Sequence, residues 1–313
     1  MAKEIKLPES LLKFIACRPG AQLHKIRSEA SRRHFFRISW GKQTCVAMVY
    51  PEKSPDEISR FLNLRDIYEK SGLRVPGLIE ALDDQVLILE DAGDLLLQRA
   101  WRSGSNSERR RLLGMCREIL VKLAAVPPNL TAARLDQVRL LWEMDFFLQH
   151  FFPHYPGVRQ TQETLRAGLA LVVENIQPED TFAHRDFHSR NLLVLGKELV
   201  MVDFQDSLRA PRYYDLVSLA FDSYLDLGAA RAELFPNLAA SGDDRELRQV
   251  RLTALQRNIK ALGTFAYQIY TNNHPVYARY IPRTLRHIQG HLQELADPEF
   301  ADLTKYFSAL SNQ

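Results

Sequence analysis

Only three of the 313 residues are cysteine (Cys17, Cys45 and Cys116), and no two of them form a Cys-x-x-Cys pair. That spacing excludes a disulfide framework and a cysteine-built zinc site, and a reducing compartment is the simpler expectation. No run of eighteen apolar residues occurs, so no membrane partner is expected. The opening residues, Met1-Ala-Lys-Glu-Ile-Lys, lack the uninterrupted apolar core of a signal peptide, which points to a cytoplasmic protein. An excess of one charge is missing too: 41 Lys and Arg against 38 Asp and Glu leave +3. Nucleic-acid binders concentrate positive charge in a stripe. The densest basic run here, Arg109-Arg110-Arg111, lies at a helix start and reads as a solvated face, so no nucleic-acid partner is expected.

What is present is an ordinary globular balance, 46% hydrophobic and 25% charged, over a length that suits two lobes. Strand signals crowd the first ninety residues. Residues 34–40 and 44–50 are β-branched and aromatic runs joined through Gly41-Lys42, a hairpin pattern, and shorter runs follow at 78–82 and 86–90. Ser54-Pro55-Asp56-Glu57 predicts a helix start, with Ser54 as cap, Pro55 at the first position and Glu57 closing a capping box. From Asp94 onward the pattern is mainly helical, with helices expected at 107–125, 134–151, 160–175, 213–227, 244–271 and 283–295. Within that half, Phe146-Phe147 at helical spacing with Trp142 reads as core, and Asp222 and Tyr224 as helix-surface or core positions. The fold class is α+β: a small antiparallel-sheet N-lobe with one inserted helix, residues 1–91, and a larger mainly helical C-lobe, residues 92–313.

One β-rich island, residues 181–202, interrupts the helices and holds the chemistry. Asp186 and Asn191 sit five positions apart in one loop, and Asp203 follows twelve positions later, directly after the apolar run Leu199-Val200-Met201-Val202. A strand–loop–strand hairpin would gather a proton acceptor and two hard oxygen ligands for a magnesium ion. Phosphoryl transfer needs that set, together with cations for the phosphates.

His184-Arg185-Asp186-Phe187-His188-Ser189-Arg190-Asn191, then a hydrophobic strand and Asp203-Phe204, resembles the kinase-like superfamily and in particular the aminoglycoside phosphotransferase family. The likeness runs from Ser28 to about Leu295. It implies a bilobal protein-kinase-like fold, ATP and Mg²⁺ as cofactors, and a small-molecule substrate. Asp186 is then the catalytic base, Asn191 and Asp203 hold the metal, and His184 and Asp215 support the loop. Arg190 is the candidate for phosphate charge and His188 for organising the loop. Leu87-Ile88-Leu89-Glu90-Asp91-Ala92-Gly93 resembles the interlobe hinge, whose main-chain groups around Glu90 and Ala92 would pair with adenine. Only eleven residues separate Asp203 from Asp215, too few for the activation loop of a protein kinase. A narrower similarity joins Ser28-Glu29-Ala30-Ser31, Arg33, Phe35-Phe36-Arg37, residues 202–206, 214–219 and 258–265 to bacterial kinases of cell-wall recycling. Those act on the anomeric hydroxyl of N-acetylmuramate and N-acetylglucosamine, which makes an amino sugar the expected acceptor. Kinases of aminoglycosides, choline or amino-acid alcohols keep the same mechanism with another acceptor. The mixed-sign region 230–313, with Arg231, Arg245, Arg248, Arg251, Arg257 and Lys260, suits an anionic or neutral sugar better than a polycation.

Two departures accompany the resemblance. Val49 stands where the phosphate-positioning lysine of Val-Ala-Ile-Lys is expected, and residues 28–33 contain no glycine. One reading is an impaired pseudokinase. The other relocates the cation to Arg33 or Arg37, with Ser28 and Ser31 in the same nucleotide-binding segment. The sugar kinases' similarity in both features favours relocation, and arginine holds phosphate oxygens bidentately.

Overall fold

The computed structural model describes residues 6–26, 32–156, 161–178, 180–235 and 243–310. Ser28 and Ser31 lie outside the described residues. The chain forms two compact units: Met1–Leu95 with Leu193–Gln205, and Leu96–Leu192 with Asp206–Gln313.

The first unit is built on an antiparallel sheet of β1 (Gln22–Ile26), β2 (His34–Trp40), β3 (Gln43–Val49), β4 (Leu78–Ala81) and β5 (Val86–Glu90), in the order β1-β2-β3-β5-β4. Gly41, at φ 55, supplies the left-handed residue of the β2–β3 turn. Alternation along β2 turns Phe36 and Ile38 into a core with Leu11 and Phe14 of helix α1 (Glu9–Ala16). Val49 is buried in the same core, so the position expected for lysine points at apolar side chains. Helix α2 (Pro55–Lys70) buries Ile58, Phe61, Leu64 and Tyr68, the face that its spacing predicts. Its expected capping box does not form: the Ser54 hydroxyl donates to the Glu52 carbonyl instead of accepting from the first turn. Strands β7 (Leu192–Leu195) and β8 (Glu198–Met201) pair as a hairpin. The Val194 amide donates to the Leu95 carbonyl at 2.7 Å and the Met201 amide to the Arg74 carbonyl at 2.9 Å. Beyond the hairpin, Phe204 packs on Phe61 and Tyr68 of α2, with ring centroids 4.8 and 5.2 Å apart.

The second unit contains α3 (Leu97–Ser103), α4 (Asn106–Ala125), α5 (Gln137–His150), α6 (Gln162–Glu174), α7 (Tyr214–Ala220), α8 (Asp244–Ala266), α9 (Ile281–Leu295) and α10 (Ala301–Leu310). A two-stranded pair, β6 (Asp180–Ala183) with β9 (Leu208–Pro211), accompanies them. Side-chain caps start several helices: Ser105 accepts from the Glu108 amide, Asp136 from Arg139, Thr161 from Thr164 and Asp243 from Arg245. The core packs α5, α6, α8, α9 and α10 together. Each fully buried Leu, Ile or Phe there contributes about 1.5–3 kcal/mol before the entropy of ordering it. Gly263 lets α8 approach α5 closely, because a Cβ there would lie 2.8 Å from the Phe147 Cα and keep the two helices apart. Phe147 is core as expected, at 1% exposure, whereas Trp142 is 61% exposed, its ring tilted against Phe146 with centroids 5.4 Å apart. Helix α7 stops at Ala220, seven residues before the expected end.

Candidate active site

The loop from His184 to Asn191 is fixed mainly through its own backbone. Both oxygens of the buried Asp215 accept main-chain bonds, from the His184 amide at 2.6 Å and the Arg185 amide at 2.9 Å. Arg185 takes a left-handed φ of 76° between them, a conformation that costs an ordinary side chain about 1–2 kcal/mol. Its guanidinium is anchored by Glu143 of α5 at 3.0 Å, and Gln256 of α8 holds the other Glu143 oxygen at 2.9 Å. The turn closes when the Asn191 side-chain amide donates to the Asp186 carbonyl at 3.0 Å. Asp222 then takes the Ser189 amide at 2.9 Å and the Tyr224 amide at 2.7 Å. Asp222 is therefore neither a surface nor an apolar-core residue. It is a second backbone clamp just past the early end of α7. Burial raises the Asp222 carboxyl, and it pushes Asp215 up to about 7 against the pull of the two amides.

Asp186 projects from this frame with 30% of its side chain exposed. Its Oδ1 accepts from Lys260 Nζ at 3.3 Å and from an Arg257 guanidinium nitrogen at 3.4 Å, both on α8. Crowding by protein alone would raise the carboxyl. The charges of Lys260 and Arg257, helped by Arg185, instead hold it far below the usual carboxylate range. The sequence gives both α8 cations only among the basic residues of the C-terminal region, not as partners of Asp186. The available signal was the i, i+3 spacing of Arg257 and Lys260, which sets two cations on one side of a helix.

The two loop candidates for charge sit differently. Arg190 lies over the rings of Tyr224 and Tyr280, 4.9 and 6.0 Å from their centroids. His188 meets Tyr224 edge to face at 4.9 Å, and burial pushes its imidazole down to about 3, so it is neutral at pH 7. His184 is fully buried with its ring edge toward Phe187.

The remaining sequence candidates belong to the first unit. Arg37 is saturated: Asp91 takes two of its nitrogens at 2.7 and 2.8 Å, and Asp94 takes two bonds at 2.7 and 3.0 Å. Arg33 reaches Asp203 Oδ1 at 3.3 Å, where Gln205 also donates at 2.8 Å. Asp203 is half exposed and has a left-handed φ of 65°. The Glu90 carboxylate is held by Arg74 and by the Gly77 amide, and its own amide donates to the Gly77 carbonyl at 2.7 Å. Ala92 is buried beside it.

Each of the two residues expected to hold the metal offers a hard oxygen donor within its own unit. The Asn191 amide nitrogen is committed to the Asp186 carbonyl, which leaves the carbonyl oxygen of Asn191 as its ligand atom, and Asp203 offers a carboxylate. Among the described residues no three His, Cys, Asp or Glu side chains gather into a cage.

Three neutral histidines, one buried and two half-buried, add a pH dependence to this unit. Burial lowers His188 to about 3, His287 to about 4 and His291 well below its ordinary value. Between the folded and unfolded pKa the unfolded chain binds more protons, so stability from these groups is lost as pH falls below about 6.5. His291 Nε2 donates to the Asn258 Oδ1 at 3.1 Å, and the Asn258 side-chain amide donates to the Phe221 carbonyl next to Asp222. His291→Gln keeps a hydrogen-bonding group without the titration. Its stability deficit at about pH 7.5 is expected to shrink by up to about 2 kcal/mol at about pH 5, read from urea unfolding. A deficit independent of pH would refute this.

Comparison with known proteins places these features in a wider set. Residues 22–252 match the model of the phosphotransferase enzyme family. The chain is 27% identical to the N-acetylmuramate/N-acetylglucosamine kinase of Pseudomonas aeruginosa, covering 93% of this chain and 89% of that protein. It is 31% identical to the protein of the same name from Caulobacter vibrioides, covering 89% of each. Among solved structures, an aminoglycoside phosphotransferase in complex with gentamicin superposes with a TM-score of 0.60 at 15% identity, over 90% of this chain and 97% of that one. At that identity the likeness bears on fold alone, and it agrees with the kinase-like α+β architecture expected from the sequence.

Proposed function

Because the chain belongs to the phosphotransferase enzyme family and is an ATP-dependent small-molecule kinase, we propose that its acceptor is an amino sugar, N-acetylmuramate or N-acetylglucosamine, phosphorylated at the anomeric hydroxyl. The observation that carries the reading is the loop geometry. Asp215, Asp222 and Asn191 fix the backbone so that Asp186 presents a carboxylate with one oxygen held by α8. The relatives' names supply the sugar, and the site chemistry agrees with them. A polycationic aminoglycoside would meet Arg257 and Lys260 beside the reacting oxygen, whereas a neutral or anionic sugar would not be repelled.

Asp186 orients the sugar hydroxyl, whose oxygen forms a bond to the γ-phosphorus as the bond to the bridging oxygen breaks. ADP leaves with that electron pair, and the hydroxyl proton passes through Asp186 to solvent. So acidic a carboxylate contributes more by aligning the hydroxyl than by storing its proton. Asn191 and Asp203 are the residues that would hold Mg²⁺, which supplies charge neutralisation on the phosphates. For the missing strand lysine, the saturation of Arg37 favours Arg33 as the phosphate-side cation, with Arg37 ordering residues 91–94. Base recognition around Glu90 and Ala92 falls to main-chain groups other than the Glu90 amide.

ATP turnover with magnesium across a panel of amino sugars, followed by phosphorus NMR of the product, tests the proposal. An anomeric phosphate resonance is the expected result. Phosphorylation only of aminoglycosides, choline or amino-acid alcohols would overturn the sugar assignment.

A further inference from the structure

Buried cations are normally saturated with acceptors, because an unpaired ammonium or guanidinium retains a desolvation cost of several kcal/mol. Arg37 illustrates the ordinary case, with four short bonds to two carboxylates. Arg257 and Lys260 do not follow it. Arg257 is 9% exposed, yet among the described residues its one side-chain hydrogen bond is the 3.4 Å contact to Asp186, and its Nε is buried with no partner there. Lys260, with a side chain 15% exposed, directs one of three donors to the same oxygen at 3.3 Å. Both contacts are longer than the roughly 2.7–2.9 Å typical of charge-assisted bonds.

Arg185, Arg257 and Lys260 face two carboxylates, Asp186 and Glu143, in side-chain ion pairs. The other two nearby acids, Asp215 and Asp222, commit both oxygens to main-chain amides. Unused donors of two cations therefore meet beside the oxygen that would orient the acceptor. The spacing of three residues on one helix sets both cations on the same side of α8, one turn apart.

We propose that Arg257 and Lys260 form an oxyanion-binding site beside Asp186 that takes an anionic oxygen of a bound substrate. The oxygen belongs to the phosphoryl group in transfer or to a carboxylate of the acceptor, such as the lactyl group of N-acetylmuramate; the second source rests on the amino-sugar reading. In either case the pair releases part of its hold on Asp186 as the substrate enters, and that frees the carboxylate to accept the hydroxyl.

Steady-state kinetics of Lys260→Met and Arg257→Gln with carboxylate-bearing N-acetylmuramate and neutral N-acetylglucosamine separate the two sources. A site for the phosphoryl group lowers kcat about 10²- to 10³-fold with both sugars. A site for the acceptor carboxylate raises KM for N-acetylmuramate at least about tenfold and leaves N-acetylglucosamine unchanged. Lys260→Arg keeps the charge and is expected to retain most activity, which guards against loss of fold. Kinetics within about threefold of wild type in both Lys260→Met and Arg257→Gln would overturn the proposal. If the wild-type enzyme phosphorylates neither sugar, the acceptor assignment fails by itself. The site is then judged by thermal stabilisation with inorganic phosphate and with D-lactate. Wild type should gain from at least one anion and the doubly substituted protein from neither; equal gains in both proteins would count against the site.

Discussion

Asp186→Ala is expected to cut kcat by about two to four orders of magnitude at saturating ATP and acceptor. The carboxylate has two tasks in this geometry, aligning the attacking hydroxyl and balancing Arg257 and Lys260. Removing it therefore also leaves two buried cations facing each other, a loss that typically costs about 3–5 kcal/mol when one partner of a buried pair is deleted. Activity and stability are separated by Asp186→Asn, which preserves shape and one acceptor oxygen but cannot take a proton or carry charge. Both variants should lose turnover while KM for ATP stays near the wild-type value, because in this reading Asp186 acts on the acceptor. Initial rates alongside thermal unfolding make the check. A folded Asp186→Asn protein working within about tenfold of wild type would remove Asp186 from the chemistry.

The parts of this site that were legible in the sequence are those whose partners lie nearby in the chain. Strands β2, β3, β4 and β5 and helix α2 follow local periodicity, and the structure places them within a few residues of the expected ranges. Strand β1 was missed because Gln22-Leu-His-Lys-Ile carries little apolar signal; it is a largely exposed edge held by pairing to β2. Helix α7 looked longer because residues 221–227 remain compatible with a helix. It ends where Asp222 accepts the amide of Ser189, a partner thirty-three residues away that no local pattern reveals. The Ser54 capping box failed for the opposite reason, since a local alternative, the Glu52 carbonyl, took the hydroxyl.

The basic residues of the C-terminal region show the same limit most clearly. Their number suggested a site for an anionic or neutral sugar, but number does not give direction. Arg248 pairs with Asp297, Arg251 with Glu294 and Arg231 with Asp226, so these three are matched within the helical unit. Only Arg257 and Lys260 of the set meet the catalytic loop. What distinguishes them is that they are buried, under-satisfied and opposite Asp186, and burial is set by packing of α8 on α5, α7 and α9 rather than by composition.

Asp203→Ala is expected to lower kcat/KM for ATP about a thousandfold, the equivalent of several kcal/mol of lost charge stabilisation on the phosphates. The position carries a second property that a simple alanine exchange would confuse with the first. At φ 65° the backbone is left-handed, a state aspartate tolerates better than alanine and glycine adopts freely. Alanine thus loses the carboxylate and adds strain, whereas Asp203→Gly loses the carboxylate and relieves it. If the carboxylate is a metal ligand, both variants should be equally inactive although Asp203→Gly unfolds at the same temperature as wild type or higher. Asp203→Asn should recover part of the rate at raised magnesium, because one neutral oxygen ligand remains. Arg33 sharpens the comparison, since it reaches the same carboxylate at 3.3 Å. Arg33→Ala should raise KM for ATP without shifting the magnesium requirement, as expected of a cation that meets phosphate rather than metal. Full activity in a folded Asp203→Gly enzyme would show that the turn's shape, and not its charge, is what the reaction uses.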